Sequence, residues 1–156
     1  MSRAAPSSDG RGGGWVAVQA VLTAAVALSA LVGLGQSTVS YVVGGVLIVA
    51  GVVFLLESGR RLGRSLTPFP APVPGGRLRT QGVYALVRHP MYLGGILVAL
   101  GWSVLFESVA GIVLTAALAA FFALKSRHEE RRLEEAYPGY AEYRRRTPRR
   151  LLPFLW

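Results

Sequence analysis

Residues 12–56 read GGGWVAVQAVLTAAVALSALVGLGQSTVSYVVGGVLIVAGVVFLL and contain no charged side chain. A soluble domain of 156 residues has no interior large enough to bury such a run. A bilayer core about 30 Å thick is crossed by roughly 17–25 apolar helical residues, so the run is twice too long for one helix. Gly33-Leu34-Gly35-Gln36-Ser37-Thr38 divides it with the composition of a turn. Two further runs without Asp, Glu, Lys or Arg follow, from His89 to Phe106 and from Ser108 to Leu124. The pattern predicts an all-α integral membrane protein of about four transmembrane helices, at 15–35, 39–56, 90–106 and 109–124.

Composition agrees. Hydrophobic residues make up 52% of the chain and charged ones 16%, against about 25% charged in soluble domains. The net charge of +9 would suggest nucleic acid in a soluble protein, but its placement argues against that partner. Arg3 and Arg11 lie in the N-terminal tail, and Arg60, Arg61, Arg64, Arg77, Arg79 and Arg88 lie between spans two and three. The other nine basic residues follow span four, while the turns at 36–38 and 107–108 carry none. Basic loops face the cytoplasm, so both termini and the middle loop are expected inside the cell membrane, which requires an even number of spans. Ala25-Val26-Ala27 imitates a signal-peptide cleavage site, but the apolar stretch continues beyond it, which favours a retained span. The absence of cysteine excludes a disulfide framework, a thiolate metal site and a cysteine nucleophile.

Residues 1–14, rich in Ser and Gly, are expected to form a disordered tail. Residues 15–56 read as a hairpin of spans one and two, whose small residues suit close helix packing in lipid. Within 57–89, Thr67-Pro68-Phe69-Pro70-Ala71-Pro72-Val73-Pro74 favours an extended strap without internal hydrogen bonds. Residues 90–136 form the second hairpin. No proline interrupts Val109 to Ala136, so the last helix should run about 42 Å and extend into the cytoplasm. Tyr137-Pro138-Gly139 ends it, and 137–156 form a basic and aromatic segment placed at the membrane surface.

The chemistry-bearing stretch is Gly82-Val83-Tyr84-Ala85-Leu86-Val87-Arg88-His89-Pro90-Met91-Tyr92-Leu93-Gly94-Gly95, at the cytoplasmic mouth of span three. Pro90 suits the first helical turn, so Arg88 and His89 precede a helix N-terminus whose free N–H groups attract acceptor-rich ligands. Gly94 and Gly95 offer bare backbone to a flat ligand. A second cluster, Glu129-Glu130 with Leu133, lies on the extension of span four. Phe121, Lys125, Glu129 and Leu133 recur every four residues and share one face. Alone, an interfacial Arg or a Glu-rich helix surface is commonplace; together the two clusters are specific. Gly33-x-Gly35 lacks the third glycine and the lysine of nucleotide loops, and two histidines are too few for a His-based metal site, so no metal is expected.

The run Gly-x-Tyr-x-x-x-Arg-His-Pro-x-Tyr-x-Gly, an apolar hairpin, Glu-Glu-x-x-Leu and a Tyr-x-x-Tyr basic tail resemble the isoprenylcysteine carboxyl methyltransferase family, in a wider group that includes phospholipid methyltransferases. The resemblance covers roughly Thr67 to Pro153. It implies S-adenosylmethionine bound at the cytoplasmic ends of the last two helices and a lipidic or prenylated substrate entering from the bilayer. Carried over by position, the cofactor contacts are Arg77, Leu78, Arg79, Tyr84, His89, Pro90, Met91, Tyr92, Gly94, Glu129, Glu130 and Leu133. Arg88, His89 and Glu129 are the expected catalytic set, with His89 positioning the cofactor instead of acting as a base. A substrate-side arginine of eukaryotic members falls on Lys125, and lysine cannot reproduce a planar two-pronged fork. The acceptor therefore stays open among a prenylated-cysteine carboxylate, a phospholipid amine and another isoprenoid lipid, and the oligomeric state is not specified. Two other readings compete, a small four-helix transporter and a non-catalytic membrane scaffold. The transporter lacks support because no ionisable residue lies at mid-depth of a span.

Overall fold

The computed structural model describes residues 12–69 and 75–151. Helix α1 spans Gly13–Leu28 and tightens into a 3₁₀ turn over Ser29–Val32. Helix α2 spans Thr38–Leu62, followed by the short turn Gly63–Ser65. A single turn, α3 (Val83–Leu86), precedes α4 (Pro90–Leu105), α5 (Val109–Ala136) and α6 (Tyr140–Arg146). No strand occurs among the described residues. The expected spans fall on α1, α2, α4 and α5, and α5 has the full predicted length. Helix α2 runs six residues beyond its apolar segment, and α1 begins inside the predicted tail, at Gly13. The rest of that tail (1–11), the strap prolines Pro70, Pro72 and Pro74, and residues 152–156 lie outside the described residues.

Three of these elements, Gly13–Val32, Thr38–Ser65 and Val109–Ala136, are long and apolar enough to cross a membrane. Helix α4 is shorter, with 16 residues, or about 24 Å. The outer surface is what a lipid environment requires. Val21, Leu31, Val39, Val42, Val46, Val49 and Val113 are each more than 60% exposed, a contiguous apolar surface that water-soluble proteins avoid.

The helix boundaries have local causes. Ser37 caps α2 by accepting from the Ser40 N–H at 3.2 Å, and the Ser40 hydroxyl accepts from the Ser37 N–H at 2.9 Å. Ser108 caps α5 through the Gly111 N–H at 3.1 Å. The two turns that carry these caps meet at one end of the bundle. The Ser37 N–H also donates to Glu107 at 2.8 Å, and the Ser108 hydroxyl donates to the Ser29 carbonyl at 2.8 Å.

Packing departs from two sequential hairpins. Helix α2 lies mainly along α4, whereas α1 packs on α5 and α4. The cause is a glycine seam. Gly44 and Gly51 on α2 face Gly101 and Gly94 on α4. A Cβ on Gly44 would stand 2.6 Å from the Gly101 carbonyl, and one on Gly51 would stand 2.7 Å from the Gly94 carbonyl. Both pairs are seven residues apart and run antiparallel, the 3.5-residue repeat of helices that coil left-handedly. Without side chains the backbones touch, which is how helices associate in lipid. The apolar core lies on the other side of α4, where Ile96 and Ala99 meet Val26 of α1, Leu118, Phe121 and Phe122 of α5, and Leu151.

Gly51→Ala should therefore lower the thermal unfolding midpoint in detergent, by the equivalent of about 1–3 kcal/mol for an overpacked contact. Gly45→Ala, one position from the seam with open space around it, should be neutral or stabilising, since alanine is favoured over glycine in a helix by about 1 kcal/mol. Equal effects at the two positions would refute the seam.

Candidate active site

Pro90 decides the local geometry. It opens α4 at its first position, where its missing N–H costs nothing, and the residue before a proline is kept out of the helical region. His89 is accordingly the non-helical N-cap (φ −122°, ψ 64°), and Val87, the C-cap of α3, is extended. The N–H groups of Arg88 and His89 are thus free to pair elsewhere. They donate to the carbonyls of Arg149 and Arg150 at 2.9 and 3.0 Å, binding the C-terminal segment across the mouth of the bundle.

The Arg88 side chain, 4% exposed, completes this clasp. Its Nε and Nη2 donate to the two oxygens of Glu130 at 2.7 and 3.3 Å. Its Nη1 donates to the carbonyls of Thr147 and Pro148 at 2.8 and 2.7 Å. Arg150 adds an Nε bond to Glu130 at 3.3 Å. The planar guanidinium fork suits this two-pronged contact, as an ammonium would not. Tyr143 ties α6 to the same region by donating to the Tyr84 carbonyl at 2.7 Å.

His89 bridges both acidic residues. Its Nε2 lies 3.2 Å from Glu130 Oε1, and its Nδ1 lies 3.5 Å from Glu129 Oε2. Burial alone pushes the imidazole pKa down, but the hydrogen bonds and charges of Glu129 and Glu130 together outweigh it and hold the pKa above the ordinary histidine value. Tyr92 donates to the other Glu129 oxygen at 2.5 Å. The rings of His89, Tyr92 and Phe122 stack in succession, with centroids 5.5 and 4.5 Å apart. Over the Tyr92 ring, at 5.4 Å, sits the Lys125 ammonium, close enough for a cation–π contact. Lys125 donates to the Gln19 side chain at 2.7 Å and to the Pro68 carbonyl at 3.0 Å. It thereby joins α1, the loop and α5. Burial also holds the hydroxyls of Tyr84, Tyr140 and Tyr143 above the ordinary phenol value, so all three stay protonated. The Tyr140 hydroxyl is buried without a hydrogen-bond partner among the described residues.

These groups surround a cavity of about 810 Å³, within the range of pockets that enclose small ligands. Of the residues expected from the sequence, Arg77, Leu78, Arg79, Tyr84, Arg88, His89, Pro90, Met91, Tyr92, Lys125, Glu129 and Leu133 line it. Two expected residues stand elsewhere. Glu130 sits behind the wall, holding Arg88 and His89. Gly94 faces the α2 seam, where its missing side chain admits Gly51, and Gly95 is the glycine on the cavity. The cavity also takes in Gln19, Thr23, Val26 and Ala27 of α1, Trp102, and Tyr137, Tyr140 and Tyr143, none of which the sequence reading assigned. Gln19 was detectable, since it is the lone amide inside the first charge-free run before the turn and polar groups at such depth attract functional readings. Among the described residues no group of three or more His, Cys, Asp or Glu side chains could hold a metal ion.

Glu130→Ala would strand the buried Arg88 charge, at a cost of about 3–5 kcal/mol. A lower thermal midpoint and faster tryptic cutting in the segment from Arg144 to Arg150 should report it. The His89 contribution has a definite pH dependence. With its folded-state pKa raised, the stability that it adds is complete below the ordinary histidine value and is lost as pH rises through the higher folded-state value. Unfolding midpoints recorded across pH 5–9 should therefore fall in that window, and His89→Gln should flatten the fall.

One family model and two curated relatives match the chain. The model of the phospholipid methyltransferase family matches residues 39–139, the stretch from α2 to the start of α6. The cobalt-zinc-cadmium resistance protein CzcN of Cupriavidus metallidurans is 47% identical over 75 residues, 46% of this chain and 33% of that protein. The Delta(14)-sterol reductase TM7SF2 of Mus musculus is 29% identical over 85 residues, 53% of this chain and 20% of that protein. The matched stretches thus span a third or less of these curated relatives. No solved structure matches. With the match covering α2 to α5 and well over half of its length, the chain belongs to the phospholipid methyltransferase family, a family of membrane methyltransferases that generally use S-adenosylmethionine.

Proposed function

We propose that the protein transfers a methyl group from S-adenosylmethionine to a lipidic or isoprenoid acceptor, carboxylate or amine, at the cytoplasmic face of the cell membrane. The observation that carries this reading is the composition of one cavity. Its mouth gathers Arg77, Arg79, Tyr84, His89 and Glu129, and the same space continues between Val26, Leu55, Val98, Ala99, Trp102 and Leu118. A polar cofactor and an apolar acceptor thus have adjoining places in it.

The residues present fit the cofactor. Glu129 offers carboxylate oxygens to ribose hydroxyls, with Tyr92 and His89 fixing its orientation. Tyr84 supplies a neutral donor, and Leu133 and Met91 supply apolar walls. Bound there, S-adenosylmethionine supplies an electrophilic methyl group on a sulfonium. With the methyl group supplied in that way, the chain's own tasks would be to align the acceptor with it and to exclude water. Holding two reactants in line is worth several kcal/mol, up to about 10. His89 is ill suited to deprotonate an acceptor, because both its nitrogens face carboxylates and its pKa is raised. It acts as a positioning residue for Glu129. Arg88 and Glu130, whose bonding groups serve each other and the C-terminal segment, support the wall and do no chemistry.

All four long helices cross the membrane in this reading, with both termini and the 57–89 connection on the cytoplasmic side. The resulting organisation is a tail to about residue 14, spans at 15–56, the cofactor loop at 57–89, spans with a cytoplasmic extension at 90–136, and a closing segment at 137–156.

Purified protein in detergent should bind labelled S-adenosylmethionine saturably, and His89→Ala or Glu129→Ala should each weaken binding about tenfold or more, the loss expected for a hydrogen bond to a charged group. No saturable binding, or binding unaffected by both changes, would reject the reading and leave a non-catalytic scaffold. Because the chain has no cysteine, single cysteines at Ser65 and Arg145 should react with an impermeant maleimide from the cytoplasmic side. One at Gln36 should react from the opposite side.

A further inference from the structure

The inner limb of the cavity runs along α4 as far as Trp102. On α4 its wall is one stripe, Tyr92, Gly95, Val98, Ala99 and Trp102, advancing in the steps of three and four that keep residues on one helix face. From Tyr92 to Trp102 that stripe rises about 15 Å. Facing it are Phe122 and Leu118 of α5 and Thr23, Val26 and Ala27 of α1. Thr23 turns its hydroxyl back to the Gln19 carbonyl at 2.8 Å, so the limb offers an apolar chain few unsatisfied polar groups. At the far end the Trp102 Nε1–H crosses to the Ala27 carbonyl at 3.2 Å. Beyond it α1, α4 and α5 close on one another at Ser29, Ser103 and Gly111. Ser103 and Ser108 are completely buried, and a Cβ on Gly111 would lie 2.6 Å from the Ser103 hydroxyl.

We propose that Trp102 is the floor of a single-chain subsite and sets the length of the apolar chain that the protein accepts. An extended chain of tetrahedral carbons advances about 1.25 Å per atom, from ordinary bond lengths and angles. The limb then takes one chain of about twelve carbons, measured inward from the Tyr92 ring. Lys125, held over that ring by Gln19 and Pro68, marks the neck where the polar head of such a molecule stops. This rests on the lipid-acceptor reading above but not on the identity of the methyl donor. It also implies that a two-chained lipid could place only one chain in the limb.

The test uses the full chain without S-adenosylmethionine, so that its outcome is independent of cofactor binding. Affinities are measured by competition for two series of linear probes of about 8–18 carbons, N-acetyl-S-alkylcysteines and N-alkyl-dimethylamines. In the wild-type protein each added methylene should strengthen binding about three- to fourfold, the factor for burying one CH₂, until about twelve carbons and then no further. Trp102→Ala should move that break to longer chains by about three or four carbons in whichever series binds. Val98→Trp, four residues nearer the neck, should move it to shorter chains by about five, as the helix rise dictates. Opposite shifts cannot come from a general loss of folding. A break point unchanged in both variants, an affinity that keeps rising to the longest probe in the wild type, or no chain-length dependence in either series overturns the assignment.

Discussion

The buried Arg88–Glu130 pair is the contact on which the rest of the polar architecture depends. It joins three pieces of chain far apart in sequence: the entrance to α4, the C-terminal reach of α5, and the segment after α6. Charges removed from water are stable only when every donor and acceptor is used. Here the guanidinium meets both carboxylate oxygens and two carbonyls, and Glu130 also receives Arg150 and His89. The arrangement fixes where His89 stands, and through His89 and Tyr92 it orients Glu129. Arg88 thus anchors the entrance to α4 against α5 and the segment after α6.

Helix α4 is asked to do two incompatible things, and it separates them by face. One face, with Gly94 and Gly101, must be bare to let α2 approach backbone to backbone. Another face, with Tyr92, Gly95, Ala99 and Trp102, lines the cavity. Dispersion between closely packed backbones, many weak contacts each of about 0.1–0.2 kcal/mol, holds α4 firmly enough on the first face that the second need not be filled. Helix α1 completes the far wall by packing on α5 and α4.

This division explains what the sequence could and could not reveal. Charge-free runs and proline placement located the helices to within a few residues, because lipid leaves a chain few alternatives to helix. That residues of 84–92 and 125–133 line one cavity was legible because the two clusters, each commonplace alone, fall at the same end of neighbouring helices. Which helix packs on which was not legible from hydropathy, since lipid tails are as apolar as leucine and give no inward direction. The seven-residue spacing of Gly44 with Gly51 and of Gly94 with Gly101 was the available signal, and it reassigns Gly94 from ligand contact to packing. Gln19 and Trp102 reach the cavity from spans whose composition reads as scaffold, so their roles emerge only once α1 is seen against α4 and α5.

The stacked rings of His89, Tyr92 and Phe122 divide polar from apolar space in the cavity. On one side, carboxylates and neutral phenols can hold a polar molecule; on the other, Val26, Ala99 and Leu118 can hold only hydrocarbon. Tyr92 belongs to both, with its hydroxyl on Glu129 and its ring against Phe122 under the Lys125 ammonium. A molecule with a reactive polar head and an apolar tail is confined by such a boundary to one orientation, head at Tyr92 and tail toward Trp102. Membrane partitioning alone would align the tail with the lipid but leave the depth of the head free. In the proposed transfer, a limb floored by Trp102 would remove that freedom, and depth is the coordinate that in-line alignment must control.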